Sequence, residues 1–305
     1  MANSEDVLRF QAEHHPMEGT SRFETLEQYC LYLMHLRAYE EVCVLGKGKS
    51  VLDLGCNNGW GTHIVAQAAR RVVGVDVSES ALEEARRSAK SDNVEFLRVD
   101  GEKLPFADGE FDVVASCQVI EHVADYSPYL REIRRVLGPP GVAIFSTPNA
   151  RIRLDPGMKP WFPFHVREFS GAELKELLHE WFPKVQVRGL FATKDLYQIE
   201  YGRVQRARER ARRRANAWLP PYQDMKAKAL GVAKAVLPQS IVQGLRAVVR
   251  GMSSESPSTA AEQAPKKADL PQWVGRFSTD DLHYGEEDID QALDLLAVCR
   301  KDAAS

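Results

Sequence analysis

No apolar run in this sequence approaches the roughly 20 residues that a membrane-spanning helix requires, so no helix is expected to cross a bilayer. Its opening stretch, MANSEDVLRFQAEHHP, has early acidic residues and lacks the basic start and apolar middle of a secretory signal, which makes the cytosol the expected location. Cysteine is scarce. Cys30, Cys43, Cys56, Cys117 and Cys299 are scattered with no CxxC pair, and Cys117 and Cys299 lie in apolar runs where small hydrophobic side chains belong. They read as reduced and mostly structural. His14 and His15 sit in a polar stretch with no further ligand types nearby, and no metal is expected. The rest is ordinary for a globular chain: 305 residues, 44% hydrophobic and 27% charged, enough for one full α/β core and an added segment.

A net charge of -3 conceals a division along the chain. Residues 203–250 hold 12 Lys and Arg against 2 Asp and Glu, whereas residues 251–305 hold 5 against 11. A local excess of one sign is an argument about partners, not about fold.

From Ser50 onward, apolar runs of strand length alternate with amphipathic stretches of helix length, the pattern of a doubly wound parallel sheet. Strands are expected at Ser50–Leu54, Arg71–Asp76, Val94–Val99, Phe111–Ser116, Val142–Thr147 and Lys184–Leu190. Between them, Trp60–Ala69, Ser80–Lys90, Tyr126–Leu137 and Ser170–Glu180 have helical spacing, and Ser170 with Glu173 forms the pattern of a capping box. Ahead of the sheet, Thr20–Val44 reads as a long amphipathic helix or helix pair carrying Phe23, Tyr29, Tyr32 and Tyr39, either packed on the sheet edge or covering a ligand. After Leu190 the pattern weakens. RVQRARERARRR (203–214) is a basic helical run, Met225–Val249 mixes Lys and Arg with apolar residues at helical intervals, and residues 251–268 have the composition of a disordered linker. The closing DLLAVCR (294–300) reads as a strand returning to the sheet. The expected division is an N-terminal helical cap (1–45), an α/β core (46–202), a basic helical insertion (203–290) with its linker at about 251–270, and a closing strand (291–301).

In VLDLGCNNGWG an apolar strand ends around Asp53, and Gly55, Gly59 and Gly61 follow before a helix begins. An open α/β sheet binds its ligand beyond the carboxyl ends of its strands, and glycine lets backbone approach that ligand closely. The dinucleotide fingerprint GxGxxG is missing: the turn reads GxxxGxG behind an acid. A carboxylate there would repel a pyrophosphate but favours a cationic amino-acid group. The next strand, VVGVDVS, ends in Asp76, where an acid can accept hydrogen bonds from both ribose hydroxyls. Ser78 is the better helix cap, which leaves that carboxylate available.

Two acids and a glycine loop in this order resemble the class I S-adenosylmethionine-dependent methyltransferases. FLRVDGEKLPFADGEFDVVASCQVIEHV continues the resemblance, with an acid after the third strand, an LPF turn and a fourth strand opening onto the active site, as does FSTPN after the fifth. It covers roughly residues 20 to 200 and the final strand. The resemblance implies a seven-stranded, mostly parallel, Rossmann-like sheet with the helical cap and insertion described, and S-adenosyl-L-methionine as cofactor. By the same resemblance Asp53, Gly55, Cys56 and Gly59 line the methionine part of the cofactor, Asp76 holds the ribose, and Val77 lies against adenine. Asp100 binds the adenine amino group with Gly101 beside it, and Gln118 closes the site. Asn57 stands where a glycine is usual; asparagine is the non-glycine residue that best tolerates a left-handed conformation.

Methyl transfer needs an in-line approach and often a base for the acceptor's proton. Glu121 and His122 in QVIEHV and His165 in PFHVREF are the catalytic candidates, and His122 sits where proteins similar to ubiquinone-pathway methyltransferases carry a histidine near the acceptor. A hydrogen-bonded structural role competes for each histidine. HVREFSGAELKELL and the basic insertion ahead of LDLLAVCRK resemble methyltransferases of glycan and cell-envelope biosynthesis, which implies a hydroxyl of a small molecule or saccharide as acceptor, a lipid-linked glycan in the finest reading. A quinone-type or other lipophilic molecule is the rival acceptor, and a noncatalytic cofactor-fold protein with a basic docking arm is the rival class. Seven arginines in residues 203–214 read first as a solvated helix. Pairing with the acidic stretch Asp280–Asp290, a phosphate-bearing acceptor and a peripheral contact with an anionic membrane through residues 203–250 compete with it. Ile241, Val242, Leu245, Val248 and Val249 beside Arg246 and Arg250 support the membrane contact. Nucleic acid ranks lower, because the rest of the chain is acidic and no aromatics interleave the arginines.

Overall fold

Because side chains alternate across a strand, a run of consecutive apolar residues supplies a sheet that is apolar on both faces and must be covered twice. The computed structural model describes residue 23 and residues 25–89, 91–101, 103–216 and 272–302, and it resolves these runs into such a sheet. The chain divides into two compact units, residues 1–208 with 267–305, and residues 209–266.

In the first unit, β1 (Ser50–Leu54), β2 (Arg71–Asp76), β3 (Val94–Arg98), β4 (Phe111–Cys117) and β5 (Leu137–Pro148) run parallel. β6 (Lys184–Ala192), β7 (Leu282–Gly285) and β8 (Asp294–Arg300) complete an eight-stranded sheet in the order β3-β2-β1-β4-β5-β8-β6-β7. β8 is antiparallel to both neighbours, with Asp294 opposite Pro148 on one side and Leu190 on the other. The expected seven strands are present. The eighth, β7, is a short edge strand whose sequence LHYG has no apolar alternation to announce it; it pairs antiparallel with the end of β6.

The alternation is literal. Val51, Val72, Val113, Ile144, Leu296 and Val298 pack on one face beneath α1 (Leu26–Gly46) and α2 (Trp60–Ala66). Their neighbours Leu52, Val73, Val114, Phe145, Leu295 and Ala297 pack on the other beneath α4 (Tyr126–Val136) and α6 (Gly171–His179). Leu82 and Ala85 of α3 (Glu79–Ser88) close over Phe96 and Cys56 near the sheet edge. The helix starts carry their own signals. Thr25 and Gln28 form a capping box on α1, Ser170 and Glu173 form the expected one on α6, and Ser78 caps α3. The short α5 (Ala150–Arg153) follows β5, and α7 (Lys194–Asn216) takes in the basic run. Several of its arginines are already paired: Arg203 with Glu200, Arg206 with Glu27 and Arg208 with Asp155. In the second unit, Glu209 pairs with Arg213 one turn on. His14 and His15, the amphipathic stretch Met225–Val249 and the linker expected at 251–268 lie outside the described residues.

One buried side chain ties the end of the sheet to the segment that leads into β8. Asn149, after β5, donates from Nδ2 to the carbonyls of Ile289 (2.9 Å) and Ala292 (2.8 Å), while its Oδ1 accepts the Arg151 N–H. Replacing it with alanine strands the buried Ala292 carbonyl, leaves the Ile289 carbonyl with the Ala292 N–H alone and uncaps α5, so Asn149→Ala should lower the unfolding free energy by about 2–4 kcal/mol in a urea titration.

Candidate active site

The carboxyl ends of β1, β2, β4 and β5 open onto a cavity of about 370 Å³, within the range of small-molecule sites. Its floor is the loop after β1. Gly55 and Cys56 donate their N–H groups to the Val75 carbonyl (2.8 and 3.0 Å), which fastens the loop to β2. Asn57 adopts φ 49°, the left-handed conformation that its sequence position suggested, and Gly59 adopts φ 78°. A Cβ on Gly59 would lie 2.7 Å from the Phe96 ring, so close packing demands glycine there as well as the backbone angle.

Asp76, at the tip of β2, anchors this loop. Its two carboxylate oxygens accept the N–H of Asn57 (2.8 Å) and of Ser78 (2.9 Å), and the residue lines the cavity. Burial raises its pKa against the pull of those hydrogen bonds. Val77, Val99, Gly101 and Leu104 stand beside it on the wall, forming an apolar slot next to an acceptor-only group. Asp100 is exposed at the rim, its Oδ1 accepting the Lys103 N–H.

Asp53 lies beneath the loop and is fully buried. Thr62 Oγ1 donates to it at 2.6 Å and the Tyr39 hydroxyl reaches both oxygens at 3.3 and 3.4 Å, so its role is to brace α1 and α2 against β1. Gly55, Cys56 and Asn57 are on the cavity wall, whereas Asp53, Gly59 and Asp100 are not among its lining residues. Gln118, at the end of β4 with φ 58°, lines the cavity and donates from Nε2 to Asp294 Oδ2 at 2.7 Å. Asp294 is itself buried, and desolvation holds its pKa well above the carboxylate range. α1 does both things its sequence allowed. Ala38, Tyr39 and Val42 pack on the sheet, and Leu31, His35 and Tyr39 face the cavity.

The three catalytic candidates gather at the other end of the same cavity. A 3-10 turn, Ile120–His122, follows β4, and the loop before α6 returns His165 to it through a hydrogen bond from Val166 N–H to the Glu121 carbonyl (2.8 Å). The two imidazole rings meet edge to face with centroids 4.9 Å apart. His122 Nδ1 lies 3.0 Å from the Phe164 carbonyl oxygen, and His165 Nδ1 lies 2.6 Å from Glu168 Oε1. Glu168 also takes a two-point contact from Arg153, at 2.8 Å from Nε and 3.0 Å from Nη2, and the Arg153 guanidinium stacks 4.2 Å over Trp161. Thr147 Oγ1 donates to Glu121 Oε2 at 3.0 Å. Glu121 Oε1 is buried and has no hydrogen-bond partner among the described residues, and burial pushes this carboxyl up to about 7. Burial lowers the pKa of His122, which favours the neutral ring.

Sequence reading did not single out Arg153, Trp161 or Trp60 on this wall, nor Glu168 and Asp294 behind it, and it met Arg203 only as the start of the basic run. Asp294 was visible in principle, as an acid opening an otherwise apolar strand. Trp60, Arg153 and Trp161 gave no local signal, because they stand on separate segments that only the fold unites.

Residues 52–145 match a family model described as a methyltransferase domain. A probable S-adenosylmethionine-dependent methyltransferase of Mycolicibacterium smegmatis is 39% identical over 165 residues, covering 53% of this chain and 63% of that protein. One of Mycobacterium tuberculosis is 38% identical over 159 residues, covering 52% and 57%. The chain thus spans about six-tenths of the length of these curated relatives. A fatty-acid O-methyltransferase of M. smegmatis is 28% identical over 65% of this chain and 69% of its own. Among solved structures, the [4+2]-cyclase SpnF shares the fold over 99% of this chain and 97% of its own, at 18% identity and a TM-score of 0.53.

Asp53 gives the site a measurable pH signature. Burial pushes its carboxyl up to about 6, from an ordinary value near 4. The native state therefore holds this proton more tightly than the unfolded chain, and the stability it contributes is present at low pH and lost as pH rises through about 6. Asp53→Asn removes that dependence. Relative to the parent, its unfolding free energy should climb on the order of 3 kcal/mol between about pH 4 and pH 7 in urea titrations; parallel profiles would contradict the assignment.

Proposed function

The α/β core belongs to the class I S-adenosylmethionine-dependent methyltransferases, and from that premise we propose that the protein transfers the cofactor's methyl group to a hydroxyl of a small molecule or saccharide. The observation that carries the reading is one cavity with two unlike ends: an acceptor-only carboxylate with an apolar slot at Asp76, and a buried Glu121, His122, His165 cluster at the other. When bound, S-adenosylmethionine supplies an electrophilic methyl group on a sulfonium. The Asp76 end suits it chemically. A carboxylate whose remaining lone pairs face the cavity accepts from ribose hydroxyls, and Val77, Val99 and Leu104 offer surface to a flat base. Gly55, Cys56 and Asn57 bring backbone close to the methionine part, with Gln118 closing that side. Asp53 serves from behind, holding the loop's flanking elements. At the other end, Glu121, His122 and His165 take up and relay the proton that the acceptor hydroxyl gives up.

A lipophilic acceptor is the second reading. Trp60, Val119, Val123, Trp161 and Phe162 make much of the wall apolar, and the named activity of one relative, fatty-acid O-methylation, is on such a substrate. A 38%-identical match over 104 residues to a ubiquinone biosynthesis O-methyltransferase of Ruegeria pomeroyi, covering 42% of that protein, points the same way. The peripheral membrane contact through residues 203–250 belongs with this reading.

Isothermal titration with S-adenosylmethionine and with its demethylated product separates the enzyme from a noncatalytic cofactor-fold protein. Both should bind, and Asp76→Ala should weaken each by roughly 10- to 100-fold through loss of charge-assisted hydrogen bonds. No binding at millimolar ligand would sink the enzyme reading. For the membrane contact, the full chain should co-sediment with anionic vesicles in larger yield than a variant lacking residues 203–250, and equal recovery would count against it.

A further inference from the structure

We propose that Glu121, His122 and His165 form a binding site for a divalent transition-metal ion, zinc or a close neighbour, at the acceptor end of the cavity. One ligand atom from each of the three lies within 4.8 Å of the other two. A point equidistant from three such atoms is about 2.8 Å from each, against about 2.0–2.2 Å in a formed zinc site, so each donor has to move by less than roughly 1 Å.

The polar atoms around the cluster are arranged as such a site needs. Glu121 Oε2 is held by the Thr147 hydroxyl, and Oε1 of the same fully buried carboxyl has no hydrogen-bond partner among the described residues. A buried oxygen in that condition calls for an explanation. His122 Nδ1 faces a carbonyl oxygen and His165 Nδ1 faces a carboxylate, and neither partner can donate. Each ring therefore carries a proton on Nδ1, which leaves Nε2 as the nitrogen that can turn to a metal ion. A carbonyl or carboxylate behind Nδ1 is the arrangement that fixes the tautomer and orientation of metal-bound histidines. For His165 the backing is firm, because Glu168 is gripped by Arg153 and both are buried. A structural role for the two loops accounts for both Nδ1 contacts but not for the unpartnered Glu121 oxygen.

Two imidazole nitrogens and one carboxylate oxygen select zinc, cobalt, iron(II) or manganese over calcium and magnesium. Three protein ligands leave coordination positions for other ligands, and all three residues line the cavity, so those positions are reachable from it. The chemical class of acceptor that fits is one with a hydroxyl and a neighbouring oxygen, a vicinal diol or a hydroxy ketone, able to bind the ion at two points. Ligation lowers the hydroxyl's pKa. With the ion in place the three side chains are ligands rather than proton acceptors, so the hydroxyl's proton leaves to water, the oxygen lone pair forms the bond to the methyl carbon, and the breaking carbon–sulfur bond leaves its pair on sulfur. The ion's part in transfer rests on the methyltransferase reading; its binding does not. The spacing of these residues in the sequence gave no metal pattern, since 43 positions separate the two histidines and the fold alone unites them.

The test uses the full chain, stripped with chelator and titrated with Co²⁺ by visible absorption and with Zn²⁺ by calorimetry. One equivalent should bind, and His122→Ala, His165→Ala and Glu121→Gln should each weaken it by at least roughly 10-fold. Glu168→Gln, which keeps all three ligands but alters the group behind His165, should cost roughly 10- to 100-fold, while His283→Asn on the edge strand should change nothing. Binding of S-adenosylmethionine and thermal unfolding, measured on each variant, confirm that it is folded. Binding of Co²⁺ and Zn²⁺ by the parent no tighter than by a folded variant lacking all three ligands would overturn the site, even with cofactor binding intact. Stoichiometric metal binding without cofactor binding would uphold the site and remove the methyltransferase reading instead.

Discussion

A sheet that is apolar on both faces has nowhere to carry polar chemistry except the ends of its strands, and the rest of this molecule follows from that restriction. Asp53 stands one residue before the end of β1, Asp76 ends β2, Gln118 follows β4, and β5 carries Thr147 and is followed by Asn149. Each polar side chain is fixed by a partner on a neighbouring element, because a group buried there without one costs about 1–3 kcal/mol. β8 obeys the same rule from the opposite direction. Being antiparallel, it begins where its neighbours end, so its first residue, Asp294, arrives opposite Pro148 at the same edge and meets Gln118.

The elements of the core were legible because periodicity and capping are local. Alternating apolar pairs such as Val51 and Leu52 specify the two-faced strand, and Ser170 with Glu173 announces its helix three residues apart. Asn57 was legible for the same reason, since a left-handed turn is a property of one residue. Partnership across the chain was not. Nothing near Asp53 in sequence says that a tyrosine from the preceding helix will hold it, and nothing near His165 says that it will meet His122. The edge strand Leu282–Gly285 escaped notice because four residues with mixed exposure carry no pattern of their own.

Electrostatics divides the cavity into two regimes. Around Asp76, backbone N–H groups surround a carboxylate and offset part of the cost of its burial. Around Glu121, the nearby positive charge is already committed: Arg153 gives both its contacts to Glu168, which in turn holds His165. The carboxyl that faces the cavity is therefore left weakly acidic, at about 7, while its neighbour Glu168 stays below the ordinary carboxylate range. Two glutamates of one loop cluster thus differ in proton affinity because burial prevails at Glu121, whereas at Glu168 the His165 hydrogen bond and the Arg153 guanidinium outweigh it.

The antiparallel insertion of β8 also governs the order in which the protein can be completed. β5 and β6 are synthesised well before residues 294–300, yet they do not pair with each other in the finished sheet; each bonds only to β8 on that side. Until those residues emerge from the ribosome, two strands present open hydrogen-bonding edges flanking a gap one strand wide, the kind of surface on which nascent chains associate wrongly. The Gln118 amide lacks its carboxylate partner for the same interval. Closing the sheet and finishing the cavity are therefore one event, and it waits for residues 294–300 to be made.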